Sequence, residues 1–157
     1  MKLDTTLIFS DGQSPSKATL NPRQAVLADL ETVVALCREF HSISLWSSIP
    51  FDEDHVTKLA ANTIATGGVF LVDGGLIAGL VTGTVFAPDV LMAAEIIWYA
   101  PNGGGQELRT AFEAWAVSQG ATVSQLTHPV NENLKDFTAR MVDRSYHPFE
   151  LSFVKAI

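Results

Sequence analysis

The stretch VLMAAEIIWYAPNGGGQELRTAFEAWAVSQG, residues 90–120, reads as three devices in succession. An apolar strand runs from Val90 to Ala100 and ends at Pro101. Gly103, Gly104 and Gly105 follow, and a helix then runs to a stop at Gly120. Leu108, Ala111, Phe112 and Trp115 stand at i, i+3, i+4 and i+7, so they share one buried face of that helix. Strand, glycine loop and helix N-terminus form a physical device for holding phosphate. First-turn N–H groups lack partners within the helix, the helix dipole adds partial positive charge, and glycines admit a ligand close to the backbone. The stretch predicts a small-molecule-binding α/β domain that docks a phosphorylated cofactor at this point.

On its N-terminal side lies the strongest β pattern. VFLV, the turn Asp73-Gly74-Gly75 and LIAGLVTGTVF read as a hairpin over residues 68–85, with Gly79 and Gly83 marking a bulge or bend in the second strand. Before it, Asp29 to His41 is an amphipathic helix with Leu30, Val33, Val34, Cys37 and Phe40 on one stripe. Ser42 to Phe51 is a loop carrying Trp46, and it either lines a pocket or merely connects. Asp52 then caps a second helix that stops at Gly67-Gly68. An edge strand is expected over residues 18–25, since Pro22 bars a central position. Residues 1–17 read as an edge strand, a partner-binding arm or a loosely held tail.

On the C-terminal side, Thr122 to Thr127 is a strand and Asn131 to about Asp143 a helix with Leu134, Phe137 and Met141 inward. Phe149 to Lys155 is a last strand. The order β-α-α-β-β-β-α-β-α-β predicts an α/β (α+β) fold: a mixed, mostly antiparallel sheet of six to seven strands, with about four helices on both faces. Residues 18–157 form one domain.

A chain of 157 residues that is 47% apolar suits one domain with a sizeable core. A net charge of −7 argues against nucleic acid or an anionic membrane as partner; it either steers a cationic substrate such as an amine or simply maintains solubility. One cysteine, Cys37, excludes an intrachain disulfide and a cysteine-based metal cluster. Cys37 and His41 share a helix face, as a metal or thiolate site or as a packed cysteine at the core edge. No signal-like or membrane-spanning run is present, in keeping with a cytoplasmic protein.

The element order and several strings resemble the GNAT superfamily of acetyl-CoA-dependent N-acetyltransferases, in its compact bacterial and bacteriophage form. The strings are RQAVLADLETVVALCREFH (23–41), VFLVDGGLIAGLVTG (69–83), AEIIWYA (94–100), GGGQELRTAFEAWAVSQGA (103–121) and SYHPFELSFVK (145–155). The resemblance implies acetyl transfer from acetyl-CoA to a primary amine of a small molecule or protein, by direct attack on the thioester. The implied partners are therefore a coenzyme A thioester and an amine acceptor, and a homodimer is consistent with the open sheet edges. The cofactor-binding residues implied are Ile97, Trp98 and Tyr99 along the strand, Gly103, Gly104, Gly105, Gln106 and Glu107 at the helix start, and Asn131 beside pantetheine. Asn131 serves equally as a plain helix cap. Two positions depart from the family. Its loop pattern Arg/Gln-x-x-Gly-x-Gly/Ala keeps the glycines here, but Ala100 falls near the Arg/Gln position. The tyrosine that many members carry in the last helix is absent between Phe137 and Met141. A second function follows from those departures: a non-catalytic module of the same fold that binds acyl-CoA weakly, or a protein partner only.

The attack needs a base for the ammonium proton, donors for the oxyanion and a proton for the leaving thiolate. Glu95 is the base candidate, the one carboxylate in an apolar strand, with strict alternation placing it on the face of Ile97 and Tyr99. It reads equally as a structural glutamate at a strand start. Tyr146 is the second catalytic candidate; it matches the aromatic of a family Gly-aromatic pair, with Ser145 in place of the glycine. His128 is a secondary base or an ordinary strand-end histidine, and His55 and His147 read as surface residues. Trp98, Phe112 and Trp115 read as core. No metal site, dinucleotide fingerprint or nucleotide P-loop is present.

Overall fold

The computed structural model describes residues 21–128 and 133–149. The expected arm at 1–17, Asn131 and the last strand beyond Phe149 lie outside the described residues. The chain divides into two compact units after Gln125.

The first unit carries a five-stranded sheet in the order β1-β2-β3-β4-β5. Its strands are β1 (Arg23–Gln24), β2 (Val69–Val72), β3 (Gly75–Gly83), β4 (Leu91–Tyr99) and β5 (Val123–Gln125). Among the described residues β1 stands at one end of the sheet order, with Pro22 just before it. β1 to β4 pair antiparallel and β4 with β5 parallel. That parallel pair needs a crossover, and helix α3 (Gly105–Ser118) supplies it. The sheet is thus mixed and mostly antiparallel, with five strands among the described residues. The β2–β3 turn is the two residues Asp73-Gly74, with Gly74 at φ +68.

Helices α1 (Leu30–Ile43) and α2 (Glu53–Ala65) cover one face. Val33, Val34 and Leu36 of α1 and Ala60 and Ile64 of α2 pack with Val69, Leu71, Leu76, Ala78 and Ile97 in one buried cluster. Asp52 caps α2 by accepting the His55 N–H at 2.9 Å, and Gly67 ends the helix at φ +80. α3 covers the other face: Phe70 alternates away from Val69 and Leu71 to meet the Trp115 ring edge-on at 6.4 Å. The sequence stripe on α3 is the buried one, with Leu108 and Phe112 fully enclosed.

The entry to α1 is held by a charge. Both terminal nitrogens of Arg23 donate to the Asp29 carboxylate at 2.7 and 2.6 Å, and the Val26 N–H donates at 2.9 Å. The Arg23 hydrogen bonds first, then the Val26 amide, draw the Asp29 pKa down from 3.8 to about 2. A carboxyl whose pKa is depressed by folding stabilises above its ordinary range and loses that contribution as pH falls through the folded value. Asp29→Asn is therefore expected to lower Tm at neutral pH, and the deficit to shrink between about pH 4 and pH 2. Thermal melts at pH 7 and pH 2 check this; equal deficits at both would detach Asp29 from the stability of the α1 entry.

The second unit contains α4 (Leu134–Val142), within the expected 131–143, of which residues 131 and 132 lie outside the described residues. Its Met141 is buried. Ser145 ends it in the left-handed region at φ +66, and the Tyr146 N–H closes onto the Met141 carbonyl at 3.0 Å. Ser145 therefore occupies a backbone shape that suits glycine.

Candidate functional site

The site is organised by an irregularity in β4. Ala78 pairs with Ile97, and the next residue, Gly79, pairs with Glu95, so Ile96 is an extra residue on β4. The bulge resets the alternation. Ile96 and Ile97 both face the α1–α2 side, where they line one groove. Cross-strand partners project to one face, and a side chain at Gly79 would run into the Phe112 ring of α3. Glu95 thus lies on the α3 side, half-buried. The alternation that put Glu95 on the face of Ile97 and Tyr99 fails because one inserted residue inverts it. A bulge near Gly79 was legible in the sequence; that its extra residue sits on the facing strand was not.

The parallel ladder between β4 and β5 covers only Met92–Ala94 against Val123–Gln125. It stops at the residue before Glu95, where the bulge begins. At the far end of β4, the Gly103 N–H closes a turn onto the Ala100 carbonyl at 3.2 Å. Gly103 and Gly104 then take φ +94 and +83, a shape that L side chains adopt only under strain. The first intrahelical bond of α3 runs from the Leu108 N–H to the Gly104 carbonyl at 2.9 Å. The amides of Gly105, Gln106 and Glu107 therefore precede the helical ladder. Gln106 and Glu107 are exposed. Behind the mouth, the Trp98 indole nitrogen lies 3.4 Å from where a Gly105 side chain would begin.

The groove on the α1–α2 face has a volume of about 360 Å³. Phe40, Trp46, Ile49, Phe51, Ile96 and Ile97 are among its apolar lining, and among the described residues His41, Asp52 and His55 are its polar groups apart from small hydroxyls. The loop between the helices winds into a short 3-10 turn, Leu45–Ser48, which presents Trp46 half-exposed. Of the two readings of that loop, pocket wall is the one the structure bears out. The Arg38–Glu53 ion pair at 2.6 Å ties the two helices together, and the Arg38 guanidinium lies 5.4 Å from the Phe51 ring centre.

His41, which the sequence offers only beside Cys37 as a metal or thiolate site, lines this groove. Its Nε2 lies 2.8 Å from the Ile49 carbonyl, and its ring meets Phe51 edge-on at 5.3 Å. Neither contact is readable from spacing on α1, because both depend on how the following loop folds back. Cys37 packs against the core, and burial pushes its thiol up to about 11, so it is a packed cysteine and not a thiolate. Among the described residues no three His, Cys, Asp or Glu side chains are placed to hold a metal ion. No helix among them is long and apolar enough to cross a membrane.

The other predicted residues are placed as follows. Ile97 is in the core cluster, and Tyr99 packs against it with its ring edge-on to Phe40 at 5.9 Å. Burial, and then the charge of Glu39, raise the Tyr99 pKa. Trp98 pairs with Ile77 and backs the glycine mouth. Tyr146 is half-buried in the second unit, and His128 of that unit stacks on Phe137 at 3.9 Å.

No protein-family model and no curated protein sequence matches the chain. Solved structures do. A GCN5-related N-acetyltransferase from Ralstonia eutropha JMP134 is similar over 88% of this chain and 98% of its own, with TM-score 0.60 at 18% identity. An aminoglycoside acetyltransferase from an uncultured soil metagenomic sample covers 88% and 99%, with TM-score 0.60 at 13% identity. A ribosomal-protein-alanine N-acetyltransferase from Brucella melitensis biovar Abortus 2308 covers 88% and 99%, with TM-score 0.57 at 10% identity. The fold of this chain is that of the GNAT acetyltransferases.

Proposed function

We propose that this chain, with the fold of the GNAT acetyltransferases, transfers an acetyl group from acetyl-CoA to a primary amine. The observation that carries the reading is the coincidence of three features on one strand. The β4–β5 ladder stops at Ala94, the bulge follows at Ile96, and the left-handed glycine turn opens α3 beyond Tyr99. The glycine mouth fits a pyrophosphate. Its backbone takes a shape that only glycine holds without strain, and its first-turn amides can donate to phosphate oxygens without a long side chain. Gly103, Gly104 and Gly105 would hold the phosphates, and Ile97, Trp98 and Tyr99 would border the pantetheine arm. Acetyl-CoA supplies the activated thioester carbonyl. The main-chain amides beside the bulge are the groups that β4 offers to the developing oxyanion. The groove on the α1–α2 face reaches Ile96 and Ile97, and is the acceptor side of the strand.

Binding tests this directly. Acetyl-CoA at about a hundred times its Kd stabilises a folded site by about 2.7 kcal/mol, which corresponds to a rise in Tm of about 5–11 °C for a chain of this size. Dephospho-acetyl-CoA and acetyl-pantetheine divide that rise between the 3′-phosphate, the adenosine diphosphate and the pantetheine portions. An unchanged Tm at millimolar acetyl-CoA would leave the fold as a binding module for another partner.

A further inference from the structure

Resting on the acyltransfer reading, we propose that His41 is the proton acceptor of the reaction, and that the acceptor is a primary amine carried on an apolar or aromatic body. The groove supplies the body's seat. Phe40, Trp46, Phe51, Ile96 and Ile97 are among the residues that line its roughly 360 Å³, the scale of a small-molecule site. It offers few hydrogen-bonding groups, so a sugar or polyamine would be left with unpaired polar atoms there. The net charge of −7 favours approach of an ammonium ion.

That ion must lose a proton before its nitrogen can attack. Among the described residues, the titratable groups lining the groove are Cys37, His41, Asp52 and His55. The Cys37 thiol keeps its proton, Asp52 is committed to the α2 cap, and His55 is exposed. Around His41, Arg38 of α1 is neutralised by Glu53 of α2, and Tyr99 of β4 packs on Phe40. Among these, His41 is half-buried and fixed. A carbonyl only accepts, so the Ile49 carbonyl holds the imidazole proton on Nε2 and leaves the Nδ1 lone pair. Glu95, the carboxylate of β4, lies across the sheet from this groove because of the bulge at Ile96.

The balance is complete. The ammonium gives one proton to His41 Nδ1, and the freed nitrogen lone pair forms the new N–C bond to the thioester carbonyl carbon. The C–S bond breaks with its electron pair on sulfur, the second amine proton goes to that sulfur, and His41 releases the first to solvent. The products are an amide and a thiol.

The probe is 2-phenylethylamine. Nitrogen NMR of histidine-labelled protein should show that the ring whose signal is missing in His41→Gln carries its proton on Nε2, and that this signal moves when the amine is added without acetyl-CoA. Glutamine keeps a donor for the Ile49 carbonyl and removes the base. With acetyl-CoA, thiol release by His41→Gln should fall at least about 100-fold and lose the ascending limb of its pH profile, while the thermal shift by acetyl-CoA is retained. Imidazole should restore part of the turnover of His41→Ala. The proposal is overturned if the limb survives in His41→Gln and vanishes in Glu95→Gln, or if the protein binds acetyl-CoA and neither binds nor acetylates 2-phenylethylamine. Failure of acetyl-CoA to bind at all would instead strike the acyltransfer reading, and this one with it.

Discussion

Phe112→Ala is expected to cost about 3–5 kcal/mol and to lower Tm by roughly 6–20 °C. Phe112 is fully enclosed, on the α3 face that covers the sheet. Its ring lies 5.4 Å from Trp115, and its Cζ stands 2.6 Å from where a side chain at Gly79 would begin. The missing side chain of Gly79 is thus the space that the Phe112 ring fills. Alanine at 112 removes the ring and leaves a cavity directly over the strand pair that carries the bulge. The reciprocal change fails for a second reason. Alanine at 79 would also lie 2.4 Å from the Ala94 carbonyl, so shortening Phe112 relieves only part of its clash. The double variant should therefore stay well below the parent in stability. Calorimetric melts of both singles and the double measure this. A loss under about 1 kcal/mol for Phe112→Ala would mean that α3 is not seated through this ring, a seat on which the position of its N-terminus depends.

That dependence separates what the sequence makes legible from what it hides. The hairpin at Asp73-Gly74, the Asp52 cap and the α3 stripe rest on local chemistry, and the structure places each of them as expected. The resemblance carried by residues 23–41, 69–83 and 94–121 points to the right fold for the same reason: order and spacing survive where identity has fallen to 10–18%. The site is harder to read because it depends on one non-local event. Which strand carries the extra residue at a bulge is decided by the pairing of β3 with β4, and period-two alternation cannot see it. That single residue moves Glu95 to the α3 face and brings Ile96 beside Ile97 in the groove. His41 was visible as a residue four beyond Cys37, but its partner is the carbonyl of Ile49 in the following loop. Ser145 in a left-handed turn shows the same limit, since nothing in a serine announces φ +66.

Gly103→Ala combined with Gly104→Ala is expected to abolish the thermal shift produced by acetyl-CoA and to lower the stability of the free protein by about 2–4 kcal/mol. Each residue sits in the left-handed region, at φ +94 and +83, where a Cβ costs roughly 1–2 kcal/mol. The chain can escape that strain by moving the turn into an ordinary shape. Doing so rotates the amides that lead into α3, and Ala100 has no polar side chain to take over. Gly105→Ala separates strain from obstruction. Gly105 is helical, and its added methyl would stand 3.4 Å from the Trp98 indole nitrogen and 3.6 Å from the Ala100 side chain, both ordinary contacts. Its stability should therefore stay within about 0.5 kcal/mol of the parent, and because the methyl lies toward Trp98 behind the mouth, the acetyl-CoA shift should be kept. Melts of the three proteins with and without acetyl-CoA decide between the accounts. If the double variant keeps the parent's shift, the phosphates are held somewhere other than the mouth of α3. If Gly105→Ala keeps its shift while the double variant loses it, the direction of the amides, and not the open space above them, is what binds the cofactor.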